Sequence, residues 1–276
     1  MNSSVACITG ANRGIGFEIA KKLAMQGFTI IMACRNETFA KAAELELKEA
    51  VEGVQIVHVC IDLAATETAK SAALKVGEMF PGGIDLMINN AGFAYHWDAQ
   101  ESFYQQAMDT IRINYYGTVA VCEAILPHIK SGGRMITVSS MSGSLLNLST
   151  EKLISRWKEC GSKKDIDSLL QEFIDLTKGD GKHLVAGWPN SAYGVSKLAV
   201  TTYTRILGRS ASGIHIFSCC PGSCRTKMST FTGLKTAEEG ADTPVWLAVS
   251  QEALQTVPQG GFATERQYKR EEDARN

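Results

Sequence analysis

"VACITGANRGIG" spans residues 5–16, and its reading decides the fold. The first five residues form a short apolar run, and the last three open an amphipathic stretch, "GIGFEIAKKLAMQ" (14–26). A buried strand that turns through glycines into a helix is the first half of a βαβ unit. Gly10 permits a tight exit from the strand. Gly14 and Gly16 let the backbone approach a pyrophosphate and let the helix pack on the sheet. The spacing G-x-x-x-G-x-G departs from G-x-G-x-x-G, so a glycine turn that holds no ligand stays open on this motif alone.

Outward from this stretch the alternation continues. Apolar runs recur at "FTIIMAC" (28–34), "VQIVHVC" (54–60), "IDLMI" (84–88), "RMITVSS" (134–140), "IHIFSCC" (214–220) and, more weakly, "GGFAT" (260–264). Helical patterns such as "FAKAAELELKEAVE" (39–52) separate most of them. Near-continuous apolar strands between helices predict an α/β fold, a doubly wound parallel sheet of Rossmann type covered on both faces. A single domain over residues 1–276 is expected. One interval breaks the rhythm. Between about 144 and 188, Ser149 or Thr150 with Glu151 opens one helical pattern, and Asp165 opens another with Leu169, Leu170, Phe173 and Ile174 on one side. These predict a helical insertion at the sheet's edge. The terminal "RQYKREEDARN" is highly charged and predicted to fray.

Composition sets limits on partners. With 45% apolar residues, 21% charged residues and a net charge of −1, the chain has the make-up of a soluble globular protein. No global basic field draws it to nucleic acid or to an anionic membrane. No segment approaches roughly 18 uninterrupted apolar residues, and the N-terminus lacks the regions of a signal peptide. The eight cysteines include Cys7, Cys34 and Cys60 in or at the ends of predicted buried strands, and the adjacent Cys219 and Cys220. They predict free buried thiols in a reducing cytoplasm. The five histidines show no paired ligand spacing, so no metal site is expected.

The strand ends carry the cofactor signals. About twenty residues beyond the glycines, an NAD site would carry Asp or Glu for the ribose 2′-hydroxyl. That place holds Cys34 followed by Arg35. With no carboxylate to repel a phosphate, and with Arg13 in the glycine loop to add a second guanidinium, NADP is the expected cofactor. Asn12 and Ile15 complete the loop. Asp62 in "CIDL" (60–63) is expected to meet the adenine with Leu63 packed nearby, and Asn90 in "NNAG" (89–92) to lie beside a ribose.

"NSAYGVSK" (190–197) sets Tyr193 and Lys197 four residues apart, on one face of a helix. A phenol ionises near pH 10, and an adjacent ammonium would lower that value, making the tyrosine a usable acid. The pair alone is common. In combination, "TGANRGIG", "NNAG", "IN" (113–114), "VSS" (138–140), "YGVSK" (193–197) and "PG" (221–222) resemble the short-chain dehydrogenase/reductase family over nearly the whole chain. The insertion before the tyrosine, "GWPNSAYGVSK" (187–197), "CCPGSCRTKM" (219–228) and "EEGADTPVWLA" (238–248) are similar to its monomeric NADPH-dependent carbonyl reductases.

The resemblance implies reduction of a small-molecule carbonyl by a tetrad of Asn114, Ser140, Tyr193 and Lys197. Ser140 would hold the carbonyl, Tyr193 would give the proton, Lys197 would bind the nicotinamide ribose, and Asn114 would position a water leading to Lys197. Ser139 competes with Ser140. Neighbouring strand residues face opposite ways, and Gly143 follows Ser140 by three, as a glycine follows the family's serine. Pro221, Gly222 and Thr226 would contact the nicotinamide end. Tyr95, Trp97, Met141 and Ser223 would line the substrate pocket. The family's usual tryptophan after Pro-Gly is Ser223 here, which opens that wall and admits a second reading, a reductase of a specific alicyclic, terpenoid or steroid ketone. A reading from another class is an NADP-loaded sensor without turnover. The resemblance also implies glutathione contact near Tyr95, His96, Trp97 and Gln106. His96 stands where a lysine would be expected. The insertion would cover the helices through which relatives pair, leaving a monomer.

Overall fold

The computed structural model describes residues 4–270. One eight-stranded sheet runs through it: β1 (Val5–Thr9), β2 (Thr29–Ala33), β3 (Ile56–Val59), β4 (Ile84–Asn89), β5 (Ile129–Val138), β6 (His215–Cys220), β7 (Phe262–Thr264) and β8 (Gln267–Lys269). Their order is β3-β2-β1-β4-β5-β6-β7-β8, parallel throughout except for the β7–β8 pair. The helices of the first half are α1 (Gly14–Ala24), α2 (Glu37–Ala50), α3 (Glu67–Met79), α4 (Phe103–Ile111) and α5 (Thr118–Ile125). Those of the second half are α6 (Glu151–Glu159), α7 (Lys163–Thr177), α8 (Lys182–Val185), α9 (Ala192–Ser210), α10 (Ala237–Gly240), α11 (Asp242–Val249) and α12 (Gln251–Thr256). No helix among the described residues is long and apolar enough to cross a membrane.

Side-chain alternation explains the layers. Val5, Cys7, Ile31, Ala33 and Met87 enter a core shared with α3, α4, α5 and α9. Ala6, Ile8, Ile30, Met32 and Ile88 enter the opposite core, shared with α1, α2 and α11. Strands buried on both faces are apolar along their middles, as Ala6–Ile8, Ile30–Ala33 and Leu86–Ile88 are. The strand order reverses between β1 and β4, and there the carboxyl ends of the strands open a crevice.

Four expectations need correction. The insertion does not lie on the sheet's edge. Its α7 packs on α4 and α9, outside the helix layer of one face, because Leu169, Leu170 and Phe173 need an apolar surface and those helices supply one. Ser162, not Asp165, caps α7. Asp165 is the reciprocal partner in a capping box. The charged terminus does not fray from its start, since Gln267–Lys269 pairs antiparallel with β7; residues 271–276 lie outside those described. Cys60, expected among the buried thiols, is exposed.

Phe173 is the clasp of the insertion. It is buried, with its ring centroid 6.1 Å from that of Phe103 at the start of α4 and 5.2 Å from that of Trp188. Truncation leaves a cavity that rigid neighbours fill only in part. Phe173→Ala is expected to lose about 3–5 kcal/mol in urea unfolding; a loss under about 1 kcal/mol would contradict this packing role.

Candidate active site

The glycine loop is built for close approach. Gly10 leaves β1 at φ +67, and a Cβ on Gly16 would lie 2.3 Å from the Gly10 carbonyl oxygen and 2.4 Å from Asn90 Nδ2. Arg13 occupies the N-cap of α1 without a side-chain capping bond, so the first-turn amides keep their donors for an anion. Across the loop, Thr226 Cγ2 lies 3.5 Å from the place of a Gly14 Cβ. A narrow cradle of amides between Asn12, Ile15 and Thr226 fits a dinucleotide's phosphates. Arg13 and Arg35 are exposed on the two neighbouring loops, and among the described residues no carboxylate engages either guanidinium.

Two residues expected at the cofactor also brace the fold on this side. Asn90 Nδ2 donates to the Thr9 carbonyl at 2.9 Å, and the amides of Asn90 and Ala91 both donate to Thr9 Oγ1 at 3.0 Å. Asn90 therefore staples β4 to β1 under the loop. Asp62 Oδ1 accepts from Ala64 N at 3.0 Å, which closes a tight turn beyond β3. The residue leaving β3 beside Arg35 is the exposed Cys60, whose Sγ lies 3.9 Å from the Arg35 carbonyl. Leu63 is buried in the core, its carbonyl 2.4 Å from a Cβ placed on Gly117.

The catalytic side explains why small residues surround Tyr193. A Cβ on Gly143 would stand 2.5 Å from Leu198 N and 2.6 Å from Lys197 C, and one on Gly194 2.7 Å from the Ser142 carbonyl oxygen. The turn that leaves β5 can press on α9 only because both positions lack side chains. That contact sets Ser140 beside Tyr193, where its side chain favours the phenolate. Ser139 is committed elsewhere. Its Oγ donates to the Lys197 carbonyl at 3.0 Å and accepts from Thr201 Oγ1 at 2.7 Å. Ser140 is thus the serine facing the crevice.

Lys197 is buried, with Nζ donating to the Val138 carbonyl at 2.9 Å and lying 5.6 Å from the Tyr193 ring centroid. Asn114 is 1% exposed and sits in a π-helical turn, Arg112–Gly117, of the kind that marks functional sites. Its Oδ1 accepts from Phe93 N at 2.7 Å, while Nδ2 donates to the Phe93 carbonyl at 2.8 Å and to Ser196 Oγ at 3.0 Å. A Cβ on Gly92 would lie 3.6 Å from both Asn114 Oδ1 and Lys197 Nζ. The tetrad therefore meets at the ends of β4 and β5.

Its electrostatics correct one expectation. Burial pushes the Tyr193 phenol up to about 12, with Cys220 adding to the rise and the Ser140 hydrogen bond opposing it. Burial also draws Lys197 down to about 8. Among the chain's own groups, desolvation outweighs the lysine's pull on the tyrosine, because Nζ is directed at Val138. Tyr193 is firmly protonated at neutral pH, the state a donor needs. Cys220, just ahead of Pro221–Gly222 at the end of β6, stands near both groups. Its signal was its place at a strand end beside the Pro-Gly turn.

The substrate side is less complete. Ser140 and Met141 line a small, open pocket with Leu145, Leu198 and Phe262, which Tyr193 does not border. Outside that pocket, Trp97 is 86% exposed, Ser223 is exposed beyond the Pro221–Gly222 turn, and the Tyr95 hydroxyl donates to Asp109 Oδ2 at 2.9 Å. Near them His96 pairs with Asp98, and Gln106 Nε2 donates to the Glu101 carbonyl at 2.9 Å. Of the side chains expected to meet glutathione, Tyr95, His96 and Gln106 are engaged nearby and Trp97 is exposed.

A family profile described as short chain dehydrogenase matches residues 4–150. Carbonyl reductase (NADPH) 3 of Rattus norvegicus is 36% identical over 90% of this chain and 91% of its own. Carbonyl reductase (NADPH) 1 of Homo sapiens is 34% identical over 95% and 96%. Salutaridine reductase from Papaver somniferum superposes with a TM-score of 0.84 at 28% identity, over 94% of this chain and 99% of its own. Menthone neomenthol reductase from Mentha piperita gives 0.80 at 28%, over 95% and 98%.

The buried ammonium has a measurable consequence. Between about 8 and 10.5 the native Lys197 has released a proton that the unfolded chain still holds, so this residue's contribution to stability rises with pH. Below that window both states are charged and the full burial penalty stands. Lys197→Met is expected to be more stable than wild type by about 3 kcal/mol at pH 7, with the gain vanishing as pH climbs through the window. Urea unfolding at several pH values reads the difference; a gain that does not change with pH would contradict it.

Proposed function

The chain belongs to the short chain dehydrogenase family, and we propose that it reduces a ketone, aldehyde or quinone to the alcohol with NADPH, Tyr193 giving the proton. One observation carries this reading: Tyr193, Ser140, Lys197 and Asn114 converge at the crevice that the phosphate cradle opens into. NADPH, when bound, supplies the hydride. Gly10, Asn12, Gly14, Ile15 and Gly16 hold its pyrophosphate, Arg13 and Arg35 its 2′-phosphate, and Thr226 with Pro221–Gly222 its carboxamide end. Ser140 Oγ donates to the substrate oxygen and holds it at Tyr193. As the carbonyl oxygen gains charge, the Tyr193 hydroxyl proton moves onto it, and the phenolate left behind is stabilised by Ser140 and by the Lys197 ammonium. Lys197, freed from Val138, can turn to the ribose hydroxyls, and Asn114 keeps the neighbouring backbone shaped for a water that returns a proton.

A second substrate reading, a specific alicyclic, terpenoid or steroid ketone, is favoured by the exposed Ser223, which leaves that wall open. An NADP-loaded sensor without turnover would be favoured by a broken tetrad, and all four positions are filled. We read the chain as one cytoplasmic NADP-binding domain. Its α7, laid over α4 and α9, supports a monomer, and light scattering is expected to give the mass of one chain; a dimer mass would overturn this. Glutathione would meet this face at the exposed Trp97 beside His96.

The test is NADPH absorbance with menadione, isatin, small α-dicarbonyls and alicyclic ketones, run beside NADH. Tyr193→Phe is expected to lower turnover by about 10²–10⁴-fold while NADPH binding persists. Undiminished turnover in that variant would refute the mechanism.

A further inference from the structure

β2 and β3 end side by side at the carboxyl edge. Their register pairs Ala33 with Val59, and the Cys34 amide donates to the Val59 carbonyl at 3.1 Å. That bond carries the register one step further and sets Cys34 opposite Cys60. Residues in register on neighbouring parallel strands share a face and lie about 4.8 Å apart, within the roughly 4.4–6.8 Å between Cα atoms that a disulfide spans. Cys34 is buried against the glycine loop, where the amides of Ala11 and Asn12 face its sulfur. Cys60 is exposed, and its Sγ lies 3.9 Å from the Arg35 carbonyl. The other six thiols of the chain are buried. The pair thus joins one accessible and one shielded sulfur, between the two loops that carry Arg13 and Arg35, and the reduction mechanism uses neither.

We propose that Cys34 and Cys60 form a reversible thiol–disulfide pair that governs binding of the adenosine 2′-phosphate end of NADPH. This rests on the reading that Arg13 and Arg35 hold that phosphate. Cys60 is the point of entry. Its thiolate attacks one sulfur of a low-molecular-weight disulfide, such as oxidised glutathione; a Cys60–S–S–R bond forms and one R–SH leaves. Cys34 then gives its proton to solvent, its sulfur attacks the Cys60 sulfur, and the second R–SH leaves. The two cysteines lose two electrons and two protons, and the small disulfide takes up both as two thiols. Burial pushes the Cys34 thiol up to about 11, which leaves little thiolate at neutral pH and makes closure the slow step.

The bridge changes what holds the loops. A sulfur bonded to Cys60 turns away from the Ala11 and Asn12 amides, and Cys60 loses the Arg35 carbonyl. Both loops then shift the guanidiniums that meet the phosphate, so the oxidised form binds NADPH more weakly.

The test treats the full-length protein with oxidised glutathione, blocks the remaining thiols, maps the peptides by mass spectrometry, and titrates NADPH by fluorescence before and after. The expected result is a peptide pair joined through Cys34 and Cys60, two of the eight thiols lost, and NADPH affinity lower by about tenfold or more, restored by dithiothreitol. Cys60→Ser should show neither the bridge nor any oxidant-dependent change. A reaction that stops at the mixed disulfide, a bridge to another cysteine, or a bridge with unchanged NADPH affinity would overturn the proposal. Failure of the reduced protein to bind NADPH would overturn the cofactor reading and the binding limb with it, and the peptide map, which needs no NADPH, tells that case apart.

Discussion

Two glycines facing across one contact hold the site together. Gly143 lies on the turn that leaves β5 and Gly194 on the first turn of α9, and neither has room for a Cβ. Because backbone meets backbone there, Ser140 is carried to the Tyr193 hydroxyl, and the Lys197 stem runs past the turn to reach the Val138 carbonyl. A side chain at either glycine would lever the turn off the helix and separate the serine from the tyrosine. Ser139, bonded to the Lys197 carbonyl and Thr201, locks the same contact from the buried side.

That compactness sets the electrostatic problem the site must solve. Burial raises the phenol and lowers the ammonium together, so both groups are driven toward neutral forms. A neutral phenol is the right starting state for proton donation, but it also makes the phenolate product costly. The Ser140 hydrogen bond offsets part of that cost. The rest must come from positive charge brought into the crevice, in which Lys197 has an alternative partner only 2.9 Å away at Val138. The tyrosine is therefore held in reserve until a ligand reorganises the lysine.

Much of this was legible in residue order. Strand positions followed from apolar runs, since a sheet buried on both faces leaves a signal along the strand middles. The choice of Ser140 over Ser139 came from the resemblance, in which a glycine follows the serine by three as Gly143 does here, and Ser139 is bonded to Lys197 and Thr201. Less was legible wherever a side chain chooses among local partners. Asn90 is drawn to Thr9, Asp62 to its own turn, and Tyr95 to Asp109, and none of these pairings leaves a trace in spacing. The seat of the insertion was also hidden. An apolar helix face shows that it is buried, but not whether strand or helix covers it. The short β8 was hidden as well, because three residues on a charged terminus carry too little pattern to outweigh their composition.

The account's central claim is that positive charge in the crevice turns a burial-raised phenol into a working proton donor. Ultraviolet difference titration of wild type against Tyr193→Phe, with and without NADP⁺, tests it most directly. Without the cofactor, Tyr193 should give no tyrosinate signal up to about pH 10, in keeping with its rise to about 12. With NADP⁺ bound, tyrosinate from this residue should appear below that pH. A Tyr193 signal that stays at the same pH in both titrations would contradict the account.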